Sequence, residues 1–476
     1  MSTLPEPGPR RRPGRAWRWL LTLLGLLGLL LAAAAGLYLK AEPIVLGAET
    51  YLFGYPLVIM DVTRASAALT VGPENQLQRV RRFPDASFKG VVRPNVDTLY
   101  TTAFIDMTQG PWVFEMAANA QRYEVMAFMD AWTNVFAAPG TRSSGTGGGR
   151  YLLAGPQWQG QIPDGLVLLR SPTRTVWLIG RTQTNGVSDY PLVHSLQDGL
   201  ALRSLADRQA GTAAVPASGL QGTPSPPAPA ATAWVPPLQQ MHNMGTEAFF
   251  TRLASLMQAN PPAAADGPML LKLARIGVSP GQPPRWSIAD RCAVSLGRWI
   301  ADRRVARELK QARALVRGWS SPPAVLGRYG SHYNIRAAVA MVGLGANLPA
   351  DAMYPQARVD GSGQPLNGSH RYRLHFSADA LPPVQAFWSV TAYGADDYLI
   401  DNPLKRHALG DRDPLRYNTD GSLDLWLQAD PPVGEQLHNW LPVKAGGFFL
   451  LNARLYWPQP SALEGRWHMP AIERLQ

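Results

Sequence analysis

The sequence predicts an α+β protein that is predominantly β: two antiparallel β-sandwich or jelly-roll-like domains, joined by a helical connector and preceded by one N-terminal transmembrane helix. Three observations lead to this fold class. The 476 residues exceed the usual size of one domain. The 15 Trp, 15 Tyr, 44 Gly and 43 Pro favour short strands and tight turns, because aromatic side chains suit pleated surfaces and Gly and Pro interrupt them. Apolar runs recur about every ten residues between 90 and 180, which is typical of a sandwich or barrel.

The N-terminus combines a basic tail with an apolar run. Residues 19–39 carry no charge and are long enough to cross a membrane as a helix. They follow five arginines: Arg10, Arg11, Arg12, Arg15 and Arg18. This order predicts that residues 1–18 stay in the cytoplasm, and that 19–39 anchor the body to the inner membrane on its periplasmic side. The alternative is a signal segment that is cleaved near the small residues Ala32 to Ala35, followed by secretion.

The next elements form an N-terminal β-rich domain over residues 44–205. Residues 48–60 predict a short amphipathic helix that ends near Met60 to Arg64. Strands are then predicted at 113–116, 123–129, 151–153, 166–169 and 176–179. Residues 206–237 are rich in Pro and Ala and predict a linker or surface insertion, because they bury too little apolar surface to order themselves.

The second half begins with a helical connector over residues 238–330, where helical periodicity covers 246–258 and 288–316. The C-terminal domain, 331–476, opens with a helix over 335–346 that ends at two glycines. A tight turn is predicted at 418–421. The strands of this domain are predicted at 372–376, 386–393, 423–427 and 448–455.

Composition excludes several classes of function. The formal net charge is +11, but it is spread along the chain and no nucleic-acid-binding module accompanies it, so no nucleic-acid partner is predicted. Cys292 is the single cysteine, which rules out a disulfide within the chain. The eight histidines show no metal-ligand spacing. We therefore predict no cofactor and no metal.

Three short motifs match catalytic or binding patterns only in their letters. Gly277–Gly281 has the spacing of a nucleophile elbow, but Gln282-Pro283-Pro284 follows where a helix is required. The glycines of 145–149 lack the Lys-Ser/Thr pair of a phosphate-binding loop, and a hairpin loop is the better interpretation. Residues 418–424 lack the closing glutamate of a calcium loop.

One set of polar residues is concentrated in segments predicted to be buried strands. Two interpretations stay open: the set pairs internally to join strands, or its arginines bind an anion while Asp97 or Asp130 acts as acid or base. Arg93, Asn95 and Asp97 are two apart, so a strand would place them on one face. The candidate ligand-binding residues here are Arg93, Asn95, Asp97, Tyr100, Asp130, Asn134, Arg142 and Arg181.

Longer strings carry a family resemblance. In the N-terminal half they are Arg93-Pro94-Asn95-Val96-Asp97-Thr98-Leu99-Tyr100, Gly140-Thr141-Arg142 and Thr173 to Arg181. In the C-terminal half they are Gly343 to Pro349, Leu366 to Tyr372, Phe387 to Thr391, Asp401-Asn402-Pro403, Asn439 to Pro442 and Arg454 to Pro458. From about Ala48 to Leu475 the chain resembles the bacterial family that joins domain of unknown function 1254 to domain of unknown function 1214.

The resemblance implies a two-domain, β-rich architecture with a jelly-roll-like C-terminal domain, often in envelope or secreted proteins, and it implies no activity. It adds His370 as a catalytic candidate and Trp388 as a ligand-binding candidate. We expect an anchored envelope protein that binds or processes a small anionic or carbohydrate-like ligand, in a cleft between the domains walled by His370, Trp388 and Asn402. The alternative is a non-catalytic structural or protein-interaction module. The sequence leaves open whether the protein is an enzyme.

Overall fold

The computed structural model describes residues 40–119, 121–211, 218–220, 235–311, 315–321 and 323–475, together with 19, 22–28 and 36. The predicted basic tail lies outside the described residues, as do most of the predicted anchor, 19–39, and most of the predicted linker, 206–237. The described part of the anchor is helical, and its leucines are exposed.

The helices are α1 Ala41–Thr70, α2 Thr141–Ser144, α3 Tyr190–Asp198, α4 Leu205–Gln209, α5 Pro237–Asn243, α6 Thr246–Ala259, α7 Gly267–Arg275, α8 Ile288–Gln311, α9 Tyr333–Val342 and α10 Pro460–Leu463. Helices α1 and α5 to α9 share one core and form a layer beside the N-terminal sheets. Single 3-10 turns cover Val187–Asp189, Ala264–Asp266 and Gly434–Asn439. The helices predicted at 246–258 and 288–316 are confirmed as α6 and α8, and the helix predicted at 335–346 is confirmed as the shorter α9.

Helix α1 is the centre of this layer. It shares one apolar core with α6, α7, α8 and α9, and this core includes Phe53, Phe249 and Val294. Helices α1 and α8 approach closely at Gly297, where the absence of a side chain leaves room. A Cβ on this residue would lie 2.1 Å from the carbonyl oxygen of Ile44. The short amphipathic helix predicted at 48–60 is therefore wrong in length: packing on several sides extends it to 30 residues.

Within the described part of the chain, α1 is the helix that has the length and apolarity to cross a membrane. Of its most apolar stretch, 72% is buried inside the protein. The same residues that give α1 a membrane-like composition thus form the core of the helical layer.

The N-terminal strands form two sheets. The strands are β1 Gln78–Val80, β2 Thr98–Asp106, β3 Trp112–Met116, β4 Glu124–Asp130, β5 Val135–Ala137, β6 Gly149–Ala154, β7 Val167–Arg170, β8 Thr175–Gln183, β9 Ala201–Ser204 and β10 Ser218–Leu220. The larger sheet has the order β10-β1-β2-β8-β4-β5, and the smaller has β7-β6-β3-β9. They enclose a core that includes Ile105, Phe114, Phe128 and Leu178. The strands predicted at 113–116, 123–129, 151–153, 166–169 and 176–179 are confirmed, within three residues at the edges except for a four-residue extension of β8.

The C-terminal strands also form two sheets around one core. They are β11 Trp319–Ser320, β12 Ala352–Met353, β13 Gln356–Ala357, β14 Arg371–Phe376, β15 Val384–Gly394, β16 Ala408–Gly410, β17 Leu423–Gln428, β18 Trp440–Pro442, β19 Phe449–Pro458 and β20 Ile472–Leu475. One sheet has the order β11-β13-β19-β15-β16, with β12 beside β19, and the other has β18-β17-β14-β20. Val390, Leu451 and Leu425 meet in the core between them.

The two domains meet through the outer face of β15 and β19. Residues alternate along a strand, so Val390 and Leu451 face the C-terminal core while their neighbours Ser389, Thr391 and Arg454 face the N-terminal domain. The N-terminal side of this junction is the segment 93–100. The junction is therefore lined by polar side chains from both halves of the chain.

Candidate functional site

The segment that leads into β2 is a loop. Arg93 has a φ of +51°, which interrupts an extended strand, and Pro94 offers no amide hydrogen to a sheet. The Asn95 side chain then accepts from the backbone amides of Asp97, at 2.6 Å, and Thr98, at 3.2 Å. The predicted strand over 93–97 is wrong for these reasons, and β2 begins only at Thr98.

This loop brings Asn95 beside Tyr100, at the edge of a group that we call the tyrosine–arginine cluster: Asn95, Tyr100, Arg181, Asn347, Tyr354 and Tyr456. The register of β2 and β8 places Tyr100 opposite Arg181, whose guanidinium carbon lies 5.0 Å from the centre of the Tyr100 ring. The Asn95 amide donates to the hydroxyls of Tyr100, at 3.2 Å, and Tyr456, at 3.0 Å. The cluster thus joins β2 and β8 of one domain to β19 of the other.

Arg181 carries the charge of the cluster. It is 6% exposed, and it donates to the side-chain oxygen of Asn347 at 2.5 Å and the carbonyl of Gly345 at 2.7 Å. Within the part of the chain that the structure describes, no carboxylate forms an ion pair with it, and its Nε has no hydrogen-bond partner. A buried charge without a counter-charge costs free energy, which makes Arg181 unusual among the arginines selected from the sequence.

The three tyrosines around Arg181 differ in acidity. Burial raises the pKa of the Tyr100 phenol, but the Arg181 guanidinium and the hydrogen bond from Asn95 outweigh burial, so the pKa is lowered below its ordinary value. Burial raises the pKa of Tyr354 to about 12 and that of Tyr456 well above its ordinary value. Neighbouring groups whose pKa values are pushed apart are suited to opposite roles in proton transfer. Of the three phenols, Tyr100 is the one whose pKa is lowered.

The cluster is enclosed without being sealed. Asn347 and Tyr456 are fully buried, whereas Asn95, Tyr100 and Tyr354 are half-buried. The cluster therefore lies at the junction between the domains with part of its polar surface accessible to solvent.

Asp97 lies outside this cluster, in a network that ties the domains together. It is 1% exposed, pairs with Arg412, and accepts from the Ser389 hydroxyl at 2.7 Å. Arg454 Nε lies 3.9 Å from its second oxygen, and Arg454 also donates to the Tyr393 hydroxyl at 2.7 Å. The Asp97 carboxylate is thus occupied by three side chains from the C-terminal domain.

Asp130 and Asn134 form a separate group at the turn between β4 and β5. The Asp130 carboxylate is 4% exposed and accepts from the backbone amides of Trp132 and Asn134, both at 2.9 Å. Burial raises the pKa of Asp130 to about 6, against these hydrogen bonds. Arg336 of α9 approaches from the helical layer, over the rings of Trp132 and Tyr333. Asp130 and Asn134 shape a tight turn, and their hydrogen bonds within the described residues do not include Tyr100.

The two remaining arginine candidates cross the domain junction. Arg93 donates to the Gln356 side chain at 2.8 Å and lies 3.7 Å from an oxygen of Asp397. Arg142 binds both oxygens of Asp351, at 2.6 and 3.1 Å. Of the arginines that the sequence selects, Arg181 is the one that lies in the tyrosine–arginine cluster.

The candidates from the C-terminal half lie elsewhere. Trp388 is 5% exposed and packs against Phe376 in the core between the C-terminal sheets. Asn402 donates to the carbonyls of Ile400 and Arg406 and holds a turn. His370 precedes β14 and packs edge-on against Tyr372, with ring centres 6.4 Å apart. The prediction that these three residues wall a cleft beside Arg93 and Asp97 is wrong for Trp388, which faces the C-terminal core, and within the described residues these contacts do not bring His370 or Asn402 to Arg93 or Asp97.

Sequence reasoning missed six polar residues that lie at the junction: Asn347, Tyr354 and Tyr456 in the cluster, and Ser389, Arg412 and Arg454 around Asp97. Four of the six lie in strings that carry the family resemblance, namely Gly343 to Pro349, Phe387 to Thr391 and Arg454 to Pro458. The available signal was alternation within strands β15 and β19, because polar residues at every second position of an otherwise apolar strand indicate a face that meets another polar surface.

Two family models match the chain, one in each half. Residues 74–204 match "Protein of unknown function (DUF1254)", and residues 351–460 match "Protein of unknown function (DUF1214)". The chain belongs to the family that joins these two domains. The predicted resemblance is confirmed. In this DUF1254–DUF1214 protein, Asn95, Tyr100 and Arg181 lie in the first matched region and Tyr354 and Tyr456 in the second.

A solved structure shows the same fold, and a second match is weaker. The VPA0106 protein from Vibrio parahaemolyticus is 24% identical, with a TM-score of 0.68 over 91% of this chain and 100% of that one. An uncharacterised protein from Burkholderia cenocepacia is 11% identical, with a TM-score of 0.43 over 94% of this chain and 98% of that one. No curated protein matches the chain.

Proposed function

We propose that this protein binds a small anionic ligand at the tyrosine–arginine cluster and that Tyr100 exchanges a proton with it. The observation that carries the proposal is Arg181, a buried guanidinium with no carboxylate partner among the described residues and an Nε without a hydrogen bond. Carboxylate, phosphate and sugar-acid oxygens accept from a guanidinium in charge-assisted hydrogen bonds, which are stronger than neutral ones. The ligand supplies the missing counter-charge.

Tyr100 gives the site a capacity beyond binding. Its lowered pKa makes the phenolate more accessible than in an ordinary tyrosine, and a general base works best when its pKa approaches the ambient pH. Tyr354, whose pKa is raised to about 12, stays protonated and donates a hydrogen bond. A ligand held at Arg181 thus meets one acceptor and one donor of protons on the same wall.

The cellular setting is part of the same proposal. Residues 19–39 anchor the protein to the inner membrane and place the body in the periplasm, or act as a signal that is cleaved. The charge-free run and the arginines before it support this assignment. The jelly-roll connectivity of the C-terminal domain is proposed on the two sheets that enclose one core.

The test measures thermal stabilisation of the purified protein by a library of carboxylates, phosphates and sugar acids. We expect at least one anion to raise the melting temperature of the parent and of the control Arg373→Gln, whose arginine lies at the surface. Arg181→Gln is expected to melt within a few degrees of the parent, because the amide can still donate to Asn347, and to lose the stabilisation. Failure of every anion to stabilise the parent would refute the proposal.

The second candidate function is a structural or protein-interaction module. It is favoured by the pairs that join the two domains, Asp97 with Arg412 and Arg142 with Asp351. Under this alternative Arg181 contributes only to the stability of the folded protein. A large loss of melting temperature in Arg181→Gln, with no anion effect in the parent, would support it.

A further inference from the structure

An apolar cleft lies on the same face of the larger N-terminal sheet as the tyrosine–arginine cluster. Its volume is about 260 Å³. It lies between the C-terminal end of α1, the loop at 88–91 and the sheet, and its floor is the stacked pair Phe104 and Trp177, with ring centres 5.0 Å apart. Ala67 of α1 packs over this pair. The lining is almost entirely apolar.

The cleft and the cluster lie next to each other along β2 and β8. Tyr100, Thr102 and Phe104 alternate on one face of β2, where Tyr100 and Thr102 are half-buried and Thr102 lines the cleft. Residues two apart on a strand are about 7 Å apart, so the cleft ends about 7 Å from Tyr100. On β8, Trp177 and Arg181 share that face, four residues apart and thus about 13 Å. One elongated molecule can reach both.

The charges divide this surface into two ends. The charged residues that line the cleft, Arg64 and Glu74, pair with each other, and Asp61 behind them pairs with both Arg64 and Arg252, so two positive and two negative charges balance. At the other end Arg181 has no carboxylate partner within the described residues. The surface thus offers a positive end and an apolar end, and a ligand that complements both is an anion with an apolar tail.

We propose that the ligand is a single-chain carboxylate, whose head binds Arg181 and Tyr100 and whose unbranched alkyl tail lies in the apolar cleft. This inference rests on the proposed function and names its ligand class. Gly345 covers the β8 side between the two ends: a Cβ there would lie 2.8 Å from Ile179 and 3.5 Å from Trp177, and its carbonyl accepts from Arg181. The alkyl chain therefore leaves the head along β2, past Thr102, which lines the cleft.

The experiment titrates the full chain, held in an amphipathic polymer, with straight-chain carboxylates from acetate to decanoate below their micelle concentrations. Detergent is avoided because its tails would compete for the cleft. We expect each added methylene to lower Kd about three- to fourfold until the cleft is filled, which is the gain for burying a methylene group. Alcohols and trimethylammonium salts of equal chain length are expected to bind at least tenfold more weakly.

Two variants separate the tail from the head. Ala67→Phe fills the cleft beside Phe104 and Trp177, so it is expected to abolish the dependence on chain length and to leave acetate binding unchanged. Leu69→Phe is the matched control, since Leu69 is on the same helix, 82% exposed and outside the cleft. Arg181→Gln is expected to weaken all chain lengths alike.

The outcomes distinguish this inference from the proposed function. If acetate and octanoate bind the parent equally, or if Ala67→Phe keeps the full dependence on chain length, the tail site is refuted and the anion site stands. If no carboxylate binds while another anion does, the ligand class is refuted alone. If no anion of any kind binds, both proposals fall.

Discussion

Replacement of Asp97 by asparagine is expected to weaken the junction between the domains. The Asp97 carboxylate is 1% exposed and faces two guanidinium groups, of Arg412 and Arg454, whose side chains are 16% and 4% exposed. Asparagine keeps the shape and can still accept from Ser389, but it leaves both guanidinium groups without this counter-charge. Removal of one partner from a buried pair costs about 3–5 kcal/mol, and we expect the lower end, about 3 kcal/mol.

The assay is urea unfolding followed by tryptophan fluorescence. The control is Glu473→Gln, which breaks the surface pair with Arg373, where the two side chains are 47% and 35% exposed, and which is expected to cost less than about 1 kcal/mol. Arg412→Met combined with Asp97→Asn is expected to recover part of the loss, because it removes one of the two stranded charges. If Asp97→Asn unfolds at the same urea concentration as Glu473→Gln, the network does not hold the domains together.

Three further outcomes are expected. The pKa of Asp130 is raised to about 6 from an ordinary 3.8, so between these pH values the folded protein holds a proton on Asp130 that the unfolded chain has released. The free energy of unfolding should therefore fall as the pH rises from 3.8 to about 6. When the melting temperature is measured at pH 4, 5 and 6, its decrease with pH should be smaller in Asp130→Asn than in the parent. Gly345 has a φ of +87°, and an added Cβ would lie 2.8 Å from Ile179. Gly345→Ala should therefore displace the carbonyl that accepts from Arg181 and weaken anion binding in the thermal assay. Unchanged binding would show that this carbonyl does not position Arg181. A reporter that is active only outside the cytoplasm should be active when it is fused after Gln476, and the mature protein should keep residues 1–40. Recovery of a form that begins near Gly36 would instead establish a cleaved signal.

Much of the fold is local information and could be predicted. The strands β3, β4, β6, β15, β17 and β19 and the helices α6 and α8 follow from apolar periodicity, and Asn418 and Gly421 close the predicted turn at 2.9 Å. Helix α1 was underestimated because it is packed on several sides, so its polar and apolar residues do not separate into the two faces that mark an amphipathic helix. The strand predicted over 93–97 failed because Arg93 adopts a positive φ, which composition does not reveal.

The candidate site likewise combines residues that could be predicted from sequence with contacts that depend on the tertiary structure. Arg181 and Tyr100 were selected from sequence because a charge and a phenol in apolar strands require partners. Which groups those partners are depends on distances between residues far apart in the chain: Asp97 meets Arg412, 315 positions away, whereas Arg181 donates, within the described residues, to the neutral oxygens of Gly345 and Asn347. The amino-acid sequence by itself determined the family, the order of most elements, and Asp97, Tyr100 and Arg181 as polar residues in apolar segments. Only the tertiary structure decided which of these charges meets an opposite charge of the chain, because electrostatic pairing depends on separation in space, which residue order alone does not specify.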